Sequence, residues 1–297
     1  MSHHKLFIGD SFEILKKIPS ETIQVAITSP PYFRIRNYFV KGQIGQERSV
    51  EEYLDKILKV FKEVYRVLKP DGSFYLNIGD SYQDKSALLI PERLVIKLRE
   101  EVGFFVRNRI TWLKISTIAA YVKDRFSIWS EPIFFLTKSK RYFFDPEPLK
   151  IEYSEVTKKR LDRFIAHNER FDPKRHKLYS SGLHPFQIAE KIARSENRDR
   201  HPIDVWPISS ACYKGPHEAT FPLEIPIRAF LASSKKGDLV LDPFVGSGTT
   251  MEAAQLLERD SIGIDISPLS KSMVAERLKE KIKQRTLDNS FSFEIYE

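Results

Sequence analysis

Residues 239–254 read LVLDPFVGSGTTMEAA, and this stretch constrains the fold more tightly than any other. An apolar run stops at the carboxylate Asp242, a loop holding Gly246 and Gly248 follows, and Thr249 and Thr250 open a stretch with helical spacing. A strand that turns through glycines straight into a helix is half of a strand–helix–strand unit. Such units assemble into mostly parallel sheets with helices on both faces. The next apolar run, SIGID, again ends on a carboxylate, Asp265. The same alternation recurs upstream. KLFIG at 5–9 reads as a strand, and FEILKKI as a helix capped by Asp10 or Ser11. TIQVAIT is a strand, and residues 50–68 place Tyr53, Leu54, Ile57, Leu58, Phe61, Val64, Tyr65 and Leu68 at helical spacing behind a Ser49 cap. SFYLNIG, FVRNRITWLKI, EPIFFLTKS and RYFF read as further strands, the last two joined by a tight turn. IPERLVIKLREEVG, PLEIPIRAFLASS and PLSKSMVAERLKEKIKQR read as helices. The expected class is α/β, a doubly wound and mostly parallel sheet.

The glycine loop is suited to a ligand. Gly246 and Gly248 let backbone approach where a side chain would block it. The spacing is not that of a phosphate-binding P-loop, since no lysine follows the second glycine, and Met251 stands where a dinucleotide motif has its third glycine. Asp265, roughly 20 residues on, occupies the position that takes ribose hydroxyls in doubly wound folds. A nucleoside ligand without a pyrophosphate fits this pattern. Two ordinary strand-to-helix turns capped by Asp242 and Asp265 would leave the same trace.

Between about 145 and 205 the regular order gives way to Lys, Arg, His and scattered prolines, with a helical piece at PFQIAEKIARSE, so an insertion is expected there. The chain then divides into 1–144, the insertion 145–205, and 206–297. With 297 residues, 41% of them hydrophobic, the rest suffices for one large domain. A single cysteine excludes an intramolecular disulfide and fits a reducing cytoplasm. No apolar run reaches membrane length, and MSHHKLFIGD lacks a secretory h-region, so a cytoplasmic protein without a membrane partner is expected. The formal charge of +8 suits a polyanionic partner. The histidines are scattered and offer no metal set, and His3-His4 reads as a disordered terminus.

TSPPYF at 28–33 ends the strand TIQVAIT. Pro30 and Pro31 cannot donate ladder hydrogen bonds and force extended backbone before them. They leave a stiff peptide presenting the Ser29 side chain, nearby carbonyls and the Tyr32 ring at a strand end.

Taken together, DPFVGSGTT after one strand, GIDISP after the next and TSPPY after a third resemble the S-adenosylmethionine-dependent amino methyltransferases of DNA. The catalytic element precedes the cofactor element, which is the circularly permuted order of the beta class found in restriction-modification methylases. LFIGDSFEIL, VYRVLKPDGSFYLNIGD, RNRITWLK, EPIFFLTKSKRYFF, DVWPI and HEATFPLEIPIRAF carry the likeness through nearly the whole chain outside the insertion. The resemblance implies a seven-stranded sheet, S-adenosyl-L-methionine as cofactor, and double-stranded DNA as partner. It leaves room for a cognate restriction endonuclease acting on the same sequence, and no obligate protein partner is evident.

The resemblance also implies residue roles. Asp242, Pro243, Phe244, Gly246, Gly248 and Thr249 would cradle the cofactor's methionine and sulfonium, with Phe244 near the adenosine. Asp265 would take the ribose hydroxyls and Asp10 the adenine amine. Phe221 and Pro222 would border the methionine end, with Thr220 as a polar contact. Ser29, Pro30, Pro31 and Tyr32 form the catalytic element. Ser29 Oγ and the Pro30 carbonyl would accept hydrogen bonds from the target amine, aiming its lone pair at the methyl group, while Tyr32 stacks on a base flipped out of the duplex. In this family SPPY goes with the N4 amine of cytosine, and DPPY or NPPY with N6 of adenine, the runner-up here. Remoter rivals are an amide methyltransferase and a catalytically silent DNA-binding protein. C5 chemistry is disfavoured, because Cys212 follows alanine and lies in no motif.

The insertion corresponds to the target-recognition region of the class. KKRLDRF, DPKRHK and RSENRDRH within it offer Lys158, Lys159, Arg160, Lys174, Arg175 and Arg198 for phosphates and base edges. FRIRNYFVKGQIGQ gives either a second DNA-facing loop through Arg34, Arg36 and Asn37, or a lid that orders on cofactor binding.

Overall fold

The computed structural model describes residues 2–115, 122–152, 155–156, 158–159, 199–210, 221–284 and 291–296. The chain divides into two compact units, 1–145 with 204–297, and 146–203. The first unit holds a nine-stranded sheet. In chain order its strands are β1 (Ser2–Ile8), β2 (Ile23–Thr28), β3 (Leu68–Asn77), β4 (Phe105–Lys114), β5 (Ser130–Thr137), β6 (Val205–Ile208), β7 (Leu239–Asp242), β8 (Asp260–Asp265) and β9 (Phe291–Tyr296). Across the sheet they run β6-β4-β5-β3-β2-β7-β8-β1-β9. Every neighbouring pair is parallel except β5 with its two partners, β3 and β4. The expected seven strands are therefore extended by an edge strand on each side, β6 and β9. β6 contains Pro207, which a sheet accepts only at an edge.

Helices α1 (Ser11–Leu15), α2 (Val50–Val67) and α3 (Ile90–Lys97) cover one face, where Leu15, Ile57, Phe61, Val64 and Leu94 pack on Ala26, Phe74, Leu76 and Leu136. Helices α4 (Glu224–Ser233) and α5 (Thr249–Leu256) cover the other, where Phe230, Ala253 and Ala254 meet Val25, Ile27, Tyr75 and Val240. Helix α6 (Ser270–Gln284) brings Val274 and Leu278 against Leu6 and Met251. Successive residues of β2 thus feed opposite cores, and all six are buried. Ser49 caps α2 by accepting from the Glu52 N–H, and Asp10, rather than Ser11, caps α1 by accepting from Glu13 N–H. No described helix is long and apolar enough to cross a membrane.

Two sequence expectations are corrected. RYFF is not a strand: Phe143 N–H donates to the Asp71 carbonyl at 3.1 Å, while the Tyr142 ring meets Phe135 edge-on at 5.7 Å. The segment is held by the Tyr142 and Phe144 rings against Phe135 of β5. His3 and His4 are not a frayed terminus but part of β1, both paired with β9 and His4 also with β8. Alternate residues Ser2, His4 and Leu6 face inward. The His4 ring, fully buried, stands 2.7 Å from Ser261 Oγ and 3.0 Å from Ser2 Oγ, so a polar-looking start satisfies itself inside.

In the second unit the described residues form one 3-10 turn, Glu147–Leu149, and a two-rung antiparallel ladder joining Ile151–Glu152 to Asp199–Arg200.

Candidate active site

Strands β2, β7, β8 and β1 lie side by side and parallel, so their carboxyl ends form one rim. The chain leaves β2 towards β3 and leaves β7 towards β8 on the opposite side, which opens a crevice between β2 and β7, the usual ligand position in a doubly wound sheet. Ser29 follows β2 on this rim, the 242–248 loop follows β7, Asp265 ends β8 and Asp10 follows β1. These sequence-chosen residues, far apart in the chain, are brought to one edge.

Asp242 has a different position from the one expected. It is buried, and three protein donors occupy its carboxylate: Thr28 Oγ1 at 2.7 Å and Phe244 N at 3.0 Å on Oδ1, and Thr250 Oγ1 at 2.6 Å on Oδ2. Burial pushes its pKa up to about 6, with the three donors opposing the rise. Asp242 faces inward and ties the residue before Ser29 to the glycine loop and the start of α5. The loop is fixed elsewhere too. Ser11 Oγ donates to the Pro243 carbonyl at 2.5 Å, and Arg277 donates to the Ser247 carbonyl at 2.9 Å while pairing with the buried Glu252 at 2.7 Å. Gly248 has a φ of 87°, and a Cβ there would stand 2.9 Å from Val274 Cγ2.

Asp265 accepts from the Gly246 N–H on Oδ2 and the Ser267 N–H on Oδ1, both at 2.8 Å. The carboxylate is half-buried at the rim. Asp10 is exposed, Phe244 half-buried, Pro243 and Pro222 buried, and Phe221 half-buried against the core beneath α4. Thr249 is buried in the first turn of α5.

The SPPY element is rigid for reasons beyond its prolines. Pro30 is buried, and Tyr53 Oη donates to the Pro31 carbonyl at 3.0 Å. Ser29 Oγ lies 3.1 Å from Tyr32 Oη, which donates to Glu131 Oε2 at 2.9 Å. The Tyr32 ring lies on Gly79, where a Cβ would come within 2.6 Å of Cε2. Sequence reasoning missed Thr28, Asn77, Lys114 and Glu131, which crowd round this element. The available signal was position, since Thr28, Asn77 and Lys114 end their strands and Glu131 is the second residue of β5.

The loop after the motif is tied inward. Arg34 donates to the carbonyls of Glu47 and Arg48, at 3.2 and 2.7 Å. Its guanidinium braces the loop while the residue stays exposed. Asn37 accepts from Phe39 N–H at 2.8 Å, and the half-buried Arg36 has its carbonyl bonded by Gln46. A Cβ at Gly42 would sit 3.5 Å from Ile266 Cδ1, so this loop lies beside the end of β8. Burial raises the Tyr38 phenol pKa, Arg36 opposes that and the Asp265 carboxylate adds to it. Of the insertion's cations, Lys158 pairs with Glu155 at 3.0 Å and Lys159 is exposed. Arg160, Lys174, Arg175 and Arg198 lie outside the described residues, as do Cys212, Thr220 and the PFQIAEKIARSE segment. Among the described residues no group of three or more His, Cys, Asp or Glu side chains could hold a metal ion.

The chain is similar to type II methyltransferases along most of its length. It is 30% identical to M.Cfr9I of Citrobacter freundii over 92% of this chain and 87% of that protein. It is 31% identical to M.SmaI of Serratia marcescens over 92% and 90% respectively. Among solved structures, the PvuII DNA methyltransferase described as cytosine-N4-specific superposes with a TM-score of 0.67 at 24% identity, covering 100% of this chain and 95% of that one. TTHA0409 of Thermus thermophilus, solved with S-adenosyl-L-methionine, gives a TM-score of 0.61 at 24% identity over 99% of this chain and 100% of that one. The family model for DNA methylases acting at N6 or N4 matches residues 23–276, and the chain belongs to that DNA methylase family.

Proposed function

We propose that this protein transfers a methyl group from S-adenosyl-L-methionine to the exocyclic N4 amine of cytosine within a short duplex DNA sequence, as the modification half of a restriction pair. The observation that carries the reading is Ser29, on the rim next to the strand whose loop holds Gly246 and Gly248. The residues on that rim fit the cofactor. Gly246 and Gly248 have φ of 52° and 87°, a backbone with room for a close ligand, and the carboxylates of Asp265 and Asp10 suit a ribose diol and an amine. The fold shared with the PvuII cytosine-N4 enzyme accommodates this chemistry.

S-adenosyl-L-methionine supplies an electrophilic methyl group. The chain's own work is to hold the amine. A cytosine amine is a poor nucleophile because its lone pair is delocalised into the ring. Ser29 Oγ and the Pro30 carbonyl accept its two N–H bonds, favour a tetrahedral nitrogen and point the lone pair across the β2–β7 crevice. Placement of this kind supplies several kcal/mol of the barrier lowering, up to about 7–11 kcal/mol in well-oriented systems. The Tyr32 ring offers a stacking face for the flipped base, a contact of about 1–3 kcal/mol. The 146–203 unit supplies sequence recognition, with Lys159 among the cations that meet the backbone.

Incubation with methyl-labelled cofactor and mixed-sequence duplex DNA, followed by digestion to nucleosides, tests this. Label in N4-methylcytosine is the expected result. Label in N6-methyladenine overturns the choice of base, and absence of label across a broad sequence set overturns the substrate.

A further inference from the structure

A cluster of polar side chains beside Ser29 has no part in the reaction so far described. The Glu131 carboxylate, on β5, receives Tyr32 Oη at 2.9 Å and Asn77 Nδ2 at 3.3 Å on Oε2, and pairs with Lys114 through Oε1. The Glu131 and Lys114 side chains are only 18% and 19% exposed, so the pair is largely withdrawn from water yet opens onto it. Lys114 also stands 4.9 Å over the Trp112 ring, and Trp112 is fixed by its indole N–H on the Ile208 carbonyl at 3.0 Å. Asn77 is anchored by a second bond to the Pro132 carbonyl at 3.2 Å. Lys114 and Asn77 are thus each oriented by a group outside the cluster. With Ser29 Oγ 3.1 Å from Tyr32 Oη, hydroxyls lead without a break from the catalytic serine to a carboxylate.

We propose that Glu131 is a positioning residue that acts through Tyr32 and Ser29 as the final acceptor of the proton released by the methylated amine. The proposal rests on the amine methylation set out above. Once the nitrogen has gained the methyl group it carries a positive charge and must lose a proton. The N–H bond breaks and its electron pair stays on nitrogen. The proton passes to Ser29 Oγ as the serine's own proton moves to Tyr32 Oη and the tyrosine's to Glu131 Oε2. The methylated base, Ser29 and Tyr32 end neutral, and the protonated Glu131 returns its proton to water at its exposed edge. Burial, reinforced by the Glu131 charge, raises the Tyr32 pKa, which keeps a transferable proton on the phenol. Lys114 pairs with the Glu131 carboxylate and holds it beside Tyr32. Tyr32 then has two uses, its ring for stacking and its hydroxyl for the proton.

The test compares single-turnover methylation by wild type, Glu131→Ala, Tyr32→Phe and the double variant, each with and without added acetate. Cofactor affinity is read by calorimetry, and flipping by the fluorescence of a base analogue at the target. Glu131→Ala is expected to keep both binding readouts and lose about 100-fold in rate, the scale of acid–base catalysis. Acetate should restore part of that rate by taking the carboxylate's place. Tyr32→Phe keeps the ring but cuts the relay upstream, so acetate should rescue neither it nor the double variant. Glu131→Gln, which keeps shape and one acceptor, should fall as far as Glu131→Ala. A Glu131→Ala or Glu131→Gln rate within twofold of wild type overturns the relay alone, as does equal acetate rescue of the double variant. A wild type that labels no DNA base overturns the relay together with the reaction on which it rests.

Discussion

Asp242→Asn separates a bracing carboxylate from a ligand-binding one. Asparagine retains a carbonyl for Thr28 Oγ1 and Phe244 N, and the Thr250 hydroxyl can rotate to accept from the new amide. The variant loses the charge and little else. In the wild type, burial raises the carboxyl from 3.8 to about 6, a difference worth about 3 kcal/mol. A group whose folded pKa lies above its unfolded one binds its proton more tightly when folded. The stability it contributes is therefore complete below 3.8 and disappears as pH rises through 6. The substituted amide does not titrate, so the unfolding free energy of the variant minus that of the wild type should climb by about 3 kcal/mol between pH 3 and pH 8. Urea denaturation of both proteins at half-unit steps of pH measures this, and the subtraction removes every other titrating group. A flat difference would refute the account of Asp242 as a charge buried among three protein donors. Asp242→Ala differs: it strands those three donors at about 1–3 kcal/mol each and should destabilise at every pH.

Gly248→Ala meets both a φ of 87° and a Cβ 2.9 Å from Val274 Cγ2. It should cost about 1–3 kcal/mol in denaturant unfolding and weaken cofactor binding in calorimetry. Gly79→Ala would put a Cβ 2.6 Å from Tyr32 Cε2; pushing the ring aside should lower kcat while leaving cofactor affinity unchanged. Burial lowers the His4 pKa from 6.5 to about 4, so its contribution is intact above 6.5 and is lost as pH falls through 4. That loss amounts to about 3 kcal/mol, and His4→Gln should flatten this part of the stability profile in urea titrations.

The parts of the fold legible in the sequence were those written in local periodicity. The run 50–68 and the all-buried β2 carry their pattern in consecutive residues, and so does the strand–glycine–helix passage at 239–254. What was missed depends on partners distant in sequence. β6 is four residues with a proline, and only pairing with β4 makes it a strand. β9 follows a long charged helix and pairs with β1 nearly the whole chain away. RYFF has strand composition, but β5 already has a partner on each side, so the segment packs its rings instead. In the site, Ser29, Gly246, Gly248 and Asp265 were legible because their motifs hold backbone geometry in a few adjacent residues. Asp242 was legible as a residue but not as a direction, since its donors Thr28 and Thr250 belong to different elements. Glu131 and Lys114, 17 residues apart in the chain, meet only because β4 and β5 pair antiparallel.

The pairing of β1 has a consequence for how the protein is made. Among the described residues its sheet partners are β8 at 260–265 and β9 at 291–296, so β1 leaves the ribosome well before the strands that seat it. At about 5–20 residues per second, translation from β1 to β8 lasts roughly 10–50 s. During that time β2, β3, β4 and β5 can join one another, since all lie within residues 23–137. Ser2–Ile8, with its buried face of Ser2, His4 and Leu6, has no sheet partner until then. The half of the rim that carries Ser29 can therefore form early, whereas the half that carries Asp10, Asp265 and the glycine loop forms only once β8 has been made. A nascent chain has Ser29 at its strand end long before the glycine loop and Asp265 can join the rim, and a chain stopped before residue 260 never completes it.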